Sequence, residues 1–582
     1  MKPYSKNLFA LAFVMVLVAG IDVVFPLMNK IAIDKYIVPK NLDGLVGFSI
    51  KYGVLIIIQA INVYLLIALA GKLETHIPYD IRTLAFKRLQ ELSFSYYDKT
   101  PIGWLMARMT SDVRRLGEVI SWGLVDIVWG FTMMSGIAVL MFYHSVKLAL
   151  ISLSVIPVLI VISTFFQQRI LTAFRQVRKI NSRITGAYNE GIGGAKTTKT
   201  LVREKENLNE FKNLTGNMRN SSIKAAIYSS LFLPIVMTLA SVGTGLALWF
   251  GGNGVIVKTI TYGTLVLFIS YTRQFFEPVR ELARVLAELQ AAQASAERVL
   301  SLIETKPDIK DSKEVLKRFG DLYNPKRENW PDVTGNLTFK NVSFQYKDGE
   351  KVLDNFNLDI KSGETIALVG ETGSGKSTIV NLACRFYEPT EGEILIDGVN
   401  YKERSLSWLH ENIGYVLQTP QLFSGTIREN IQYGDLEATE MDIIRASKLV
   451  NAHGFIMDLE NGYDTEVGEG GGKLSTGQKQ LISFARAIVS NPRLFVLDEA
   501  TSSIDTETER IIQNAIDRVL MGRTSFIIAH RLSTIVSSDR ILVIRNGKIV
   551  EEGTHKRLLS NKGYYYRLYT NQFKKNVESK LG

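Results

Sequence analysis

Six apolar stretches lie in the first half of the chain and set its predicted architecture. A bilayer core of about 30 Å requires about 20 mostly apolar residues in one helix. The stretches that approach this length are Asn7 to Met28, Gly53 to Gly71, Trp122 to Tyr143, Val146 to Phe166, Ile227 to Gly251 and Ile260 to Phe276. After Gly335 the pattern changes to short apolar strands separated by turns. The sequence therefore predicts an all-α transmembrane domain of six helices, followed by an α/β domain.

Two long polar segments, Lys72 to Ser121 and Gln167 to Ala226, separate these stretches and are rich in Lys and Arg. Positive charge favours the cytoplasmic side, so we predict that both termini and the α/β domain are cytoplasmic. Their helical periodicity continues that of the flanking spans, which predicts long cytoplasmic helix extensions. Each segment contains a glycine-bearing turn, at residues 100–103 and 191–194, where a short transverse helix could dock on a soluble domain. Two ordinary cytoplasmic loops are the alternative.

The first stretch has Lys2 and Lys6 before it, as a signal peptide would. It lacks an obvious small-residue cleavage site and five more stretches follow, so we interpret it as a membrane span. Polar side chains inside spans are costly and tend to face a cavity or a partner. The candidates for a substrate cavity are Asp22, Gln59, Asn62, Asp126 and Arg273, with Trp129, Tyr271 and Phe275 as aromatic contacts. Helix-packing hydrogen bonds, or an ion pair of an aspartate with Arg273, explain them equally well.

Composition and charge exclude fewer classes of function than the pattern of apolar and polar positions does. The 582 residues carry a formal net charge of +11, but much of the excess lies beside predicted spans, so we interpret it as topology and not as nucleic-acid binding. The length predicts two to four domains. Cys384 is the single cysteine, which excludes an internal disulfide and fits a reducing cytosol.

The segment Thr365 to Thr378 contains the pattern G-x-x-x-x-G-K-S between an apolar strand and a helix. This context is typical of a phosphate-binding loop, whose glycines let backbone N–H groups surround phosphate oxygens. Lys376 is placed to reach the β- and γ-phosphates, and the Ser377 hydroxyl to bind Mg²⁺. The residues predicted to contact the nucleotide here are Gly370, Glu371, Thr372, Gly373, Ser374, Gly375, Lys376, Ser377 and Thr378.

Further motifs stand on both sides of this segment. V-S-F-Q-Y, ending at Tyr346, precedes it, and Y-V-L-Q-T-P-Q around Gln418, L-S-T-G-Q at residues 474–478 and L-F-V-L-D-E ending at Glu499 follow it in that order. With these, the second half resembles the ATP-binding cassette domain of ABC exporters. Together with six spans and two long extensions, the resemblance covers nearly the whole chain. The whole chain thus resembles a half-transporter of the bacterial multidrug and lipid exporter family.

The resemblance implies a role for each motif. Tyr346 would stack on adenine, Gln418 would contact Mg²⁺ and the attacking water, and Asp498 would bind Mg²⁺ through water. Glu499 would polarise that water, with His530 on the γ-phosphate and residues 502–505 crossing the dimer seam. Ser475, Gly477 and Gln478 would bind a nucleotide held by the opposing protomer. The implied catalytic residues are thus Glu499, His530, Gln418 and Lys376, and the implied cofactors are ATP and Mg²⁺.

Two positions depart from the family pattern. Thr476 stands where the signature usually has glycine, and a β-branched residue is sterically less permissive there. Gly470 stands where many members carry a polar side chain. Thr476 is either a tolerated variation or the mark of one half of a heterodimer with unequal ATP sites.

We therefore predict a transmembrane domain at residues 1–304, a linker at 305–334 and an ATP-binding cassette at 335–582. The predicted function is an ATPase-driven exporter of hydrophobic or amphipathic compounds, drugs or lipids, that acts with a second half-transporter in the cell membrane. Direction is not encoded by the cassette alone, so an importer stays open. An ATP-gated channel or regulatory subunit is a second alternative. A soluble DNA-repair ATPase is disfavoured, because six spans replace the long coiled coil that such a protein needs.

Overall fold

The structure is a computed structural model that describes residues 2–346, 349–498, 506–528 and 532–570. It divides the chain into two units, one of Met1–Leu89 with Ile102–Thr305, and one of Gln90–Pro101 with Lys306–Gly582. The first unit is helical and the second combines helices with two β-sheets. The short stretch 90–101, which lies between two helical segments of the first half, thus belongs to the α/β unit.

Long helices dominate the first half of the chain. They are α1 (Ser5–Ala32), α2 (Leu45–Glu91), α3 (Phe94–Lys99), α4 (Ile102–Ala107), α5 (Val113–Glu118), α6 (Leu124–His144), α7 (Val146–Leu153), α8 (Val155–Gly193), α9 (Ala195–Thr200), α10 (Glu204–Ile256) and α11 (Tyr262–Glu304). Three π-helical segments, Ile33–Ile37, Arg108–Asp112 and Val119–Gly123, continue neighbouring α-helices. With 47, 39 and 53 residues, α2, α8 and α10 run well past any bilayer, which confirms the predicted helix extensions.

Five helical stretches in the described part of the chain are long and apolar enough to cross a membrane, and all coincide with predicted spans. The sixth predicted span forms the start of α11, where Arg273 and Gln274 interrupt the apolar run. The fourth is broken between α7 and α8 at Ser154. Pro157 explains the break, because it has no N–H to donate to the carbonyl group of Leu153.

Small residues let the helices of this unit approach closely. A Cβ atom on Gly117 would lie 2.4 Å from Pro78 Cγ, and one on Gly136 would lie 3.2 Å from Val23 Cγ2. One apolar core joins α1, α6, α7, α10 and α11, and includes Ile137, Leu267 and Phe268, which are fully buried. The packed faces of these helices are therefore continuous, as burial of apolar surface requires.

The described part of the second unit contains ten strands. They are β1 (Leu337–Gln345), β2 (Lys351–Ile360), β3 (Thr365–Val369), β4 (Glu391–Ile396), β5 (Val399–Asn400), β6 (Ile413–Val416), β7 (Leu494–Asp498), β8 (Thr524–Ile528), β9 (Arg540–Arg545) and β10 (Lys548–Gly553). Its helices, beyond α3, are α12 (Lys313–Phe319), α13 (Lys376–Ala383), α14 (Leu406–Glu411), α15 (Ile427–Gln432), α16 (Glu440–Leu449), α17 (His453–Met457), α18 (Thr476–Ile488), α19 (Thr506–Leu520), α20 (Leu532–Val536) and α21 (His555–Ser560).

A four-stranded antiparallel sheet has the order β2-β1-β4-β5, and a six-stranded sheet has the order β10-β9-β3-β8-β7-β6. In the larger sheet β9, β3, β8, β7 and β6 run parallel. Strands β3 and β8 are buried at every position, as expected for a parallel sheet covered on both faces. Apolar cores lie on both sides of this sheet.

The predicted linker, residues 305–334, contains regular secondary structure. It includes α12 and a 3₁₀ turn at Arg327–Asn329, and it is fastened to the α/β unit by the buried Arg385. Arg385 Nη1 donates to Asp311 Oδ1 at 2.9 Å, and Asp311 Oδ2 accepts from the N–H of Leu406 at 2.9 Å. The linker boundaries at 305 and 334 stay a prediction.

Candidate nucleotide-binding site

The glycine-rich loop 370–375 connects β3 to α13. Gly375 has a φ of 104°, a left-handed conformation that residues with a side chain rarely adopt, and forms the N-cap of α13. A Cβ atom on Gly370 would lie 2.2 Å from the carbonyl oxygen of Ile544 in β9. These two glycines therefore hold the loop against the sheet, with the N–H groups at the start of α13 available to an anion.

Lys376 begins α13, and its ammonium group folds back over the loop. Nζ donates to the carbonyl oxygens of Gly370 and Glu371, both at 2.8 Å. Desolvation lowers the pKa of the buried Lys376, while the Asp498 carboxylate acts in the opposite direction. Ser374 Oγ is buried and has no hydrogen-bond partner among the described residues. A buried ammonium and an unpaired buried hydroxyl at a helix N-terminus fit the phosphates of a nucleotide.

Sheet topology brings the other predicted groups toward this loop. Because β3, β8, β7 and β6 are parallel neighbours, their carboxyl ends share one edge of the sheet. Asp498 is the last residue of β7, and Gln418 lies two residues beyond the end of β6. Glu499, residues 502–505 and His530 lie outside the described residues.

The predicted Mg²⁺ ligands are a hydroxyl, an amide and a carboxylate. Ser377 and Gln418 are exposed, and Asp498 is partly buried. In the described ranges, no group of three or more His, Cys, Asp or Glu side chains gathers as a metal site. This donor set fits Mg²⁺, which keeps several waters and binds through one or two carboxylates plus substrate phosphates.

The ring of Tyr346 lies in an aromatic cluster beside α13. Its centroid is 4.9 Å from Phe344 and 5.2 Å from Tyr387, both in edge-to-face arrangements. Its hydroxyl group shares a hydrogen bond of 3.1 Å with Thr378 Oγ1 in α13. Tyr346, the residue predicted to contact adenine, is thus joined by a side-chain hydrogen bond to the helix that follows the phosphate loop.

The L-S-T-G-Q motif forms the start of α18. Ser475 is the N-cap, and its Oγ and the side chain of Gln478 complete a capping box. Thr476 is the first helical residue and is exposed, so its backbone does not need the freedom of glycine. The steric restriction that we expect from its β-branched side chain near a nucleotide stays a prediction. Before the motif, Gly470 has a φ of 57° with open space around its Cβ position.

Contacts with α3 were not apparent from the sequence. The rings of Phe386 and Phe94 lie 4.2 Å apart, Tyr387 Oη donates to the Asp98 carboxylate, and Ser95 Oγ donates to Asp308 Oδ2 at 2.7 Å. The sequence R-F-Y-E at residues 385–388 contains two aromatic residues, but nothing in it indicates that they contact α3. A short helix lies beside each predicted turn, at Phe94–Lys99 and at Ala195–Thr200. The first belongs to the α/β unit, whereas docking of the second on the soluble domain stays a prediction.

Three of the predicted membrane-cavity residues meet. Gln59 Nε2 donates to Asp22 Oδ1 at 2.8 Å, and Trp129 Nε1 donates to Asp22 Oδ2 at 3.4 Å. Asn62 is buried on α2, whereas Asp126 pairs with Arg284 at 2.7 Å.

Arg273 is exposed and pairs with no aspartate among the described side chains. Tyr271 is fully buried, as Phe275 nearly is, and Tyr271 donates to the carbonyl oxygen of Val23 at 2.7 Å. These contacts bind helices to one another, so the packing interpretation has direct support at Asp22, Asp126 and Tyr271.

Comparison with known proteins places this geometry in a family. A model of the ABC transporter transmembrane region matches residues 8–279, and a model of the ABC transporter domain matches residues 353–502. An ATP-dependent lipid A-core flippase of Syntrophus aciditrophicus (strain SB) is 35% identical over 582 residues, which cover 100% of this chain and 94% of that protein. A Bacillus subtilis (strain 168) protein named for multidrug export is 35% identical over 583 residues and covers 98% of both chains.

A solved structure of a bacterial Atm1-family ABC exporter with ATP bound is also similar. Its TM-score is 0.79 at 25% identity, with 98% of each chain covered. The apolar helices and the phosphate loop define a multi-pass membrane protein with an ATP-binding domain. The chain belongs to the ABC transporter family, as an exporter half-transporter whose ATPase activity is coupled to transport. The predicted fold class and family resemblance are confirmed.

Proposed function

We propose that this half-transporter pairs with a second half-transporter and uses Mg·ATP to export hydrophobic or amphipathic compounds, such as drugs or lipids. The observation that carries the proposal is the edge of the six-stranded sheet, where the phosphate loop, Asp498 and Gln418 stand at the carboxyl ends of the parallel strands β3, β7 and β6. The names of the relatives, a lipid A-core flippase and a multidrug export protein, support this class of cargo.

Each residue of the site has a proposed role. Lys376 and the N–H groups of α13 hold the β- and γ-phosphates, and the ring of Tyr346 contacts the base. Ser377, Gln418 and Asp498 hold Mg²⁺, which neutralises phosphate charge when bound. Glu499 polarises the attacking water, and His530 contacts the γ-phosphate. Positioning and charge stabilisation of this kind account for most of the catalysis of phosphoryl transfer.

A second cassette is needed because the signature motif does not serve its own nucleotide. Ser475, Gly477 and Gln478 at the start of α18 bind the nucleotide on the partner. Closure of the two cassettes then reorients the membrane domains by differential binding to the two states. The partner is a second copy or, because of Thr476, a sister chain with an unequal ATP site.

We place the protein in the cell membrane with both termini and the ATP-binding domain in the cytoplasm, because the long extensions carry the Lys and Arg excess. The cargo cavity is proposed around Asp22, Gln59, Asn62, Asp126, Trp129 and Arg273. The hydrogen bonds of Asp22 with Gln59 and Trp129 equally fit a packing role, so exchange of each side chain must be tested against transport and stability separately.

The assembled transporter tests this proposal directly. Native mass spectrometry identifies the partner as a second copy or a different chain and shows which lipid or small molecule travels with it. Glu499→Gln in the same assembly is expected to leave ATP binding intact and to remove most ATP turnover. Normal turnover in that variant would exclude the proposed role of Glu499, and a monomer that hydrolyses ATP would exclude the shared site.

A further inference from the structure

Tyr387 touches two functional parts of the α/β unit at once. Its hydroxyl group donates to the Asp98 carboxylate in α3, while its ring packs edge-to-face on Tyr346 with centroids 5.2 Å apart. The side chain is partly buried, and burial together with the bond to Asp98 raises the pKa of Tyr387. The phenol therefore stays protonated and remains a donor.

The ring of Tyr346 continues the connection to the phosphate-loop helix. Its hydroxyl group shares a hydrogen bond of 3.1 Å with Thr378 Oγ1, two residues after Lys376. Phe344 packs edge-to-face on both tyrosines, at 4.9 and 5.7 Å, so three rings form one cluster. Edge-to-face pairs are directional, and a rotation of one ring in such a cluster disturbs its neighbours.

Helix α3, which carries Asp98, is joined to the membrane domain through the chain itself. Helix α3 follows α2 after two residues, and α2 is one of the five stretches able to cross a membrane. Helix α3 nevertheless belongs to the α/β unit, where Phe94 packs on Phe386 at 4.2 Å. The Phe94 contact is apolar and has little directionality, whereas the bonds of Tyr387 to Asp98 and of Ser95 to Asp308 are directional.

We propose that Tyr387 is a positioning residue that transmits the state of the adenine-contacting ring of Tyr346 to α3 through its bond to Asp98. The proposal rests on the proposed contact of Tyr346 with the base. The ring and the hydroxyl of Tyr387 have separable tasks: the ring supports Tyr346 and hence nucleotide affinity, and the hydroxyl couples the bound state to α3.

Hydrogen exchange of the full-length assembly in nanodiscs, with and without Mg·AMP-PNP, tests this division. In the wild type, nucleotide is expected to slow exchange of the amides of residues 94–99. Tyr387→Phe is expected to abolish that protection while the dissociation constant for AMP-PNP changes less than about twofold, since the ring remains. Tyr387→Leu is expected to weaken AMP-PNP binding by about threefold to tenfold, since an edge-to-face partner of Tyr346 is lost.

Tyr401→Phe is the matched control, because Tyr401 Oη is buried without a hydrogen-bond partner in the described part of the chain. It is expected to keep both nucleotide affinity and protection of α3. Equal protection in Tyr387→Phe and wild type, or no protection of α3 by nucleotide in the wild type, would overturn the inference. Failure of the wild type to bind AMP-PNP would instead overturn the proposed function, so the two failures are distinguishable.

Discussion

Replacement of Arg385 by methionine is expected to destabilise the ATP-binding domain strongly. The arginine side chain is 2% exposed and binds two carboxylates, Asp311 Oδ1 through Nη1 at 2.9 Å and Glu388 Oε1 through Nε at 3.0 Å. Nη1 also lies 3.2 Å from the carbonyl oxygen of Arg404. Methionine fills similar space but offers no donor to any of these groups.

The magnitude follows from the burial of the partners. The Asp311 side chain is 9% exposed, so its charge stays buried when the cation is removed. Breaking a buried pair in this way costs about 3–5 kcal/mol. For a domain of this size, each kcal/mol shifts the midpoint of thermal unfolding by about 2–4 °C, which predicts a fall of roughly 6–20 °C. Glu388 is 25% exposed and is expected to add little, since water reaches it.

Scanning calorimetry of the full-length protein in nanodiscs provides the measurement, with the transition of the ATP-binding domain identified by its rise on addition of ATP. Arg445→Met is the control, because the Arg445 side chain is 75% exposed and its solvent-screened pair with Asp442 is expected to contribute little to stability. Asp311→Asn in the Arg385→Met background is expected to restore part of the loss. A midpoint for Arg385→Met that matches the Arg445→Met control would show that the buried ion pair of Arg385 does not stabilise the domain.

Three further outcomes are expected. Gly370→Ala should weaken ATP binding about tenfold or more in titration calorimetry, since its Cβ would lie 2.2 Å from the carbonyl oxygen of Ile544 and the loop must move; unchanged affinity would contradict the tight approach. Burial lowers the pKa of His410 below 6.5, so the unfolded chain binds a proton that the folded chain does not, and stability should fall as the pH drops from 7 to 5. His410→Gln should flatten that fall, measured as the unfolding midpoint against pH, and an unaltered profile would exclude His410 as its source. Thr476→Gly should change ATP turnover less than about twofold, because position 476 is helical; a large rise would show that the threonine side chain itself limits the site.

The phosphate loop and its surroundings could be predicted because their signals are local. The apolar run Ile366 to Val369 lies in β3, and the helix after Gly375 starts where the motif places it. The membrane helices could be predicted because a continuous run of about 20 apolar residues is typical of a helix that crosses a bilayer. The roles of Glu499 and His530 stay predictions, since both lie outside the described residues.

Other features depend on contacts between residues far apart in sequence. Asp98 and Tyr387 are separated by 289 positions, and nothing near either residue indicates the other. The ion pair of Asp311 with Arg385 is equally non-local. The composition of the predicted linker is polar and does not indicate that Asp311 is buried in an ion pair. The break at Ser154 had a local signal in Pro157, which the continuous hydrophobic pattern concealed.

Transport against a gradient tests most directly whether the protein is an ATP-driven exporter. Inside-out vesicles that contain the assembled protein are supplied with Mg·ATP and a cargo identified by mass spectrometry, and Lys376→Ala vesicles serve as the control. ATP-driven accumulation of cargo above its outside concentration, absent in the control, is the result that an exporter requires. Equilibration of cargo that stops at equal concentrations on both sides would show an ATP-gated pathway and would exclude an exporter.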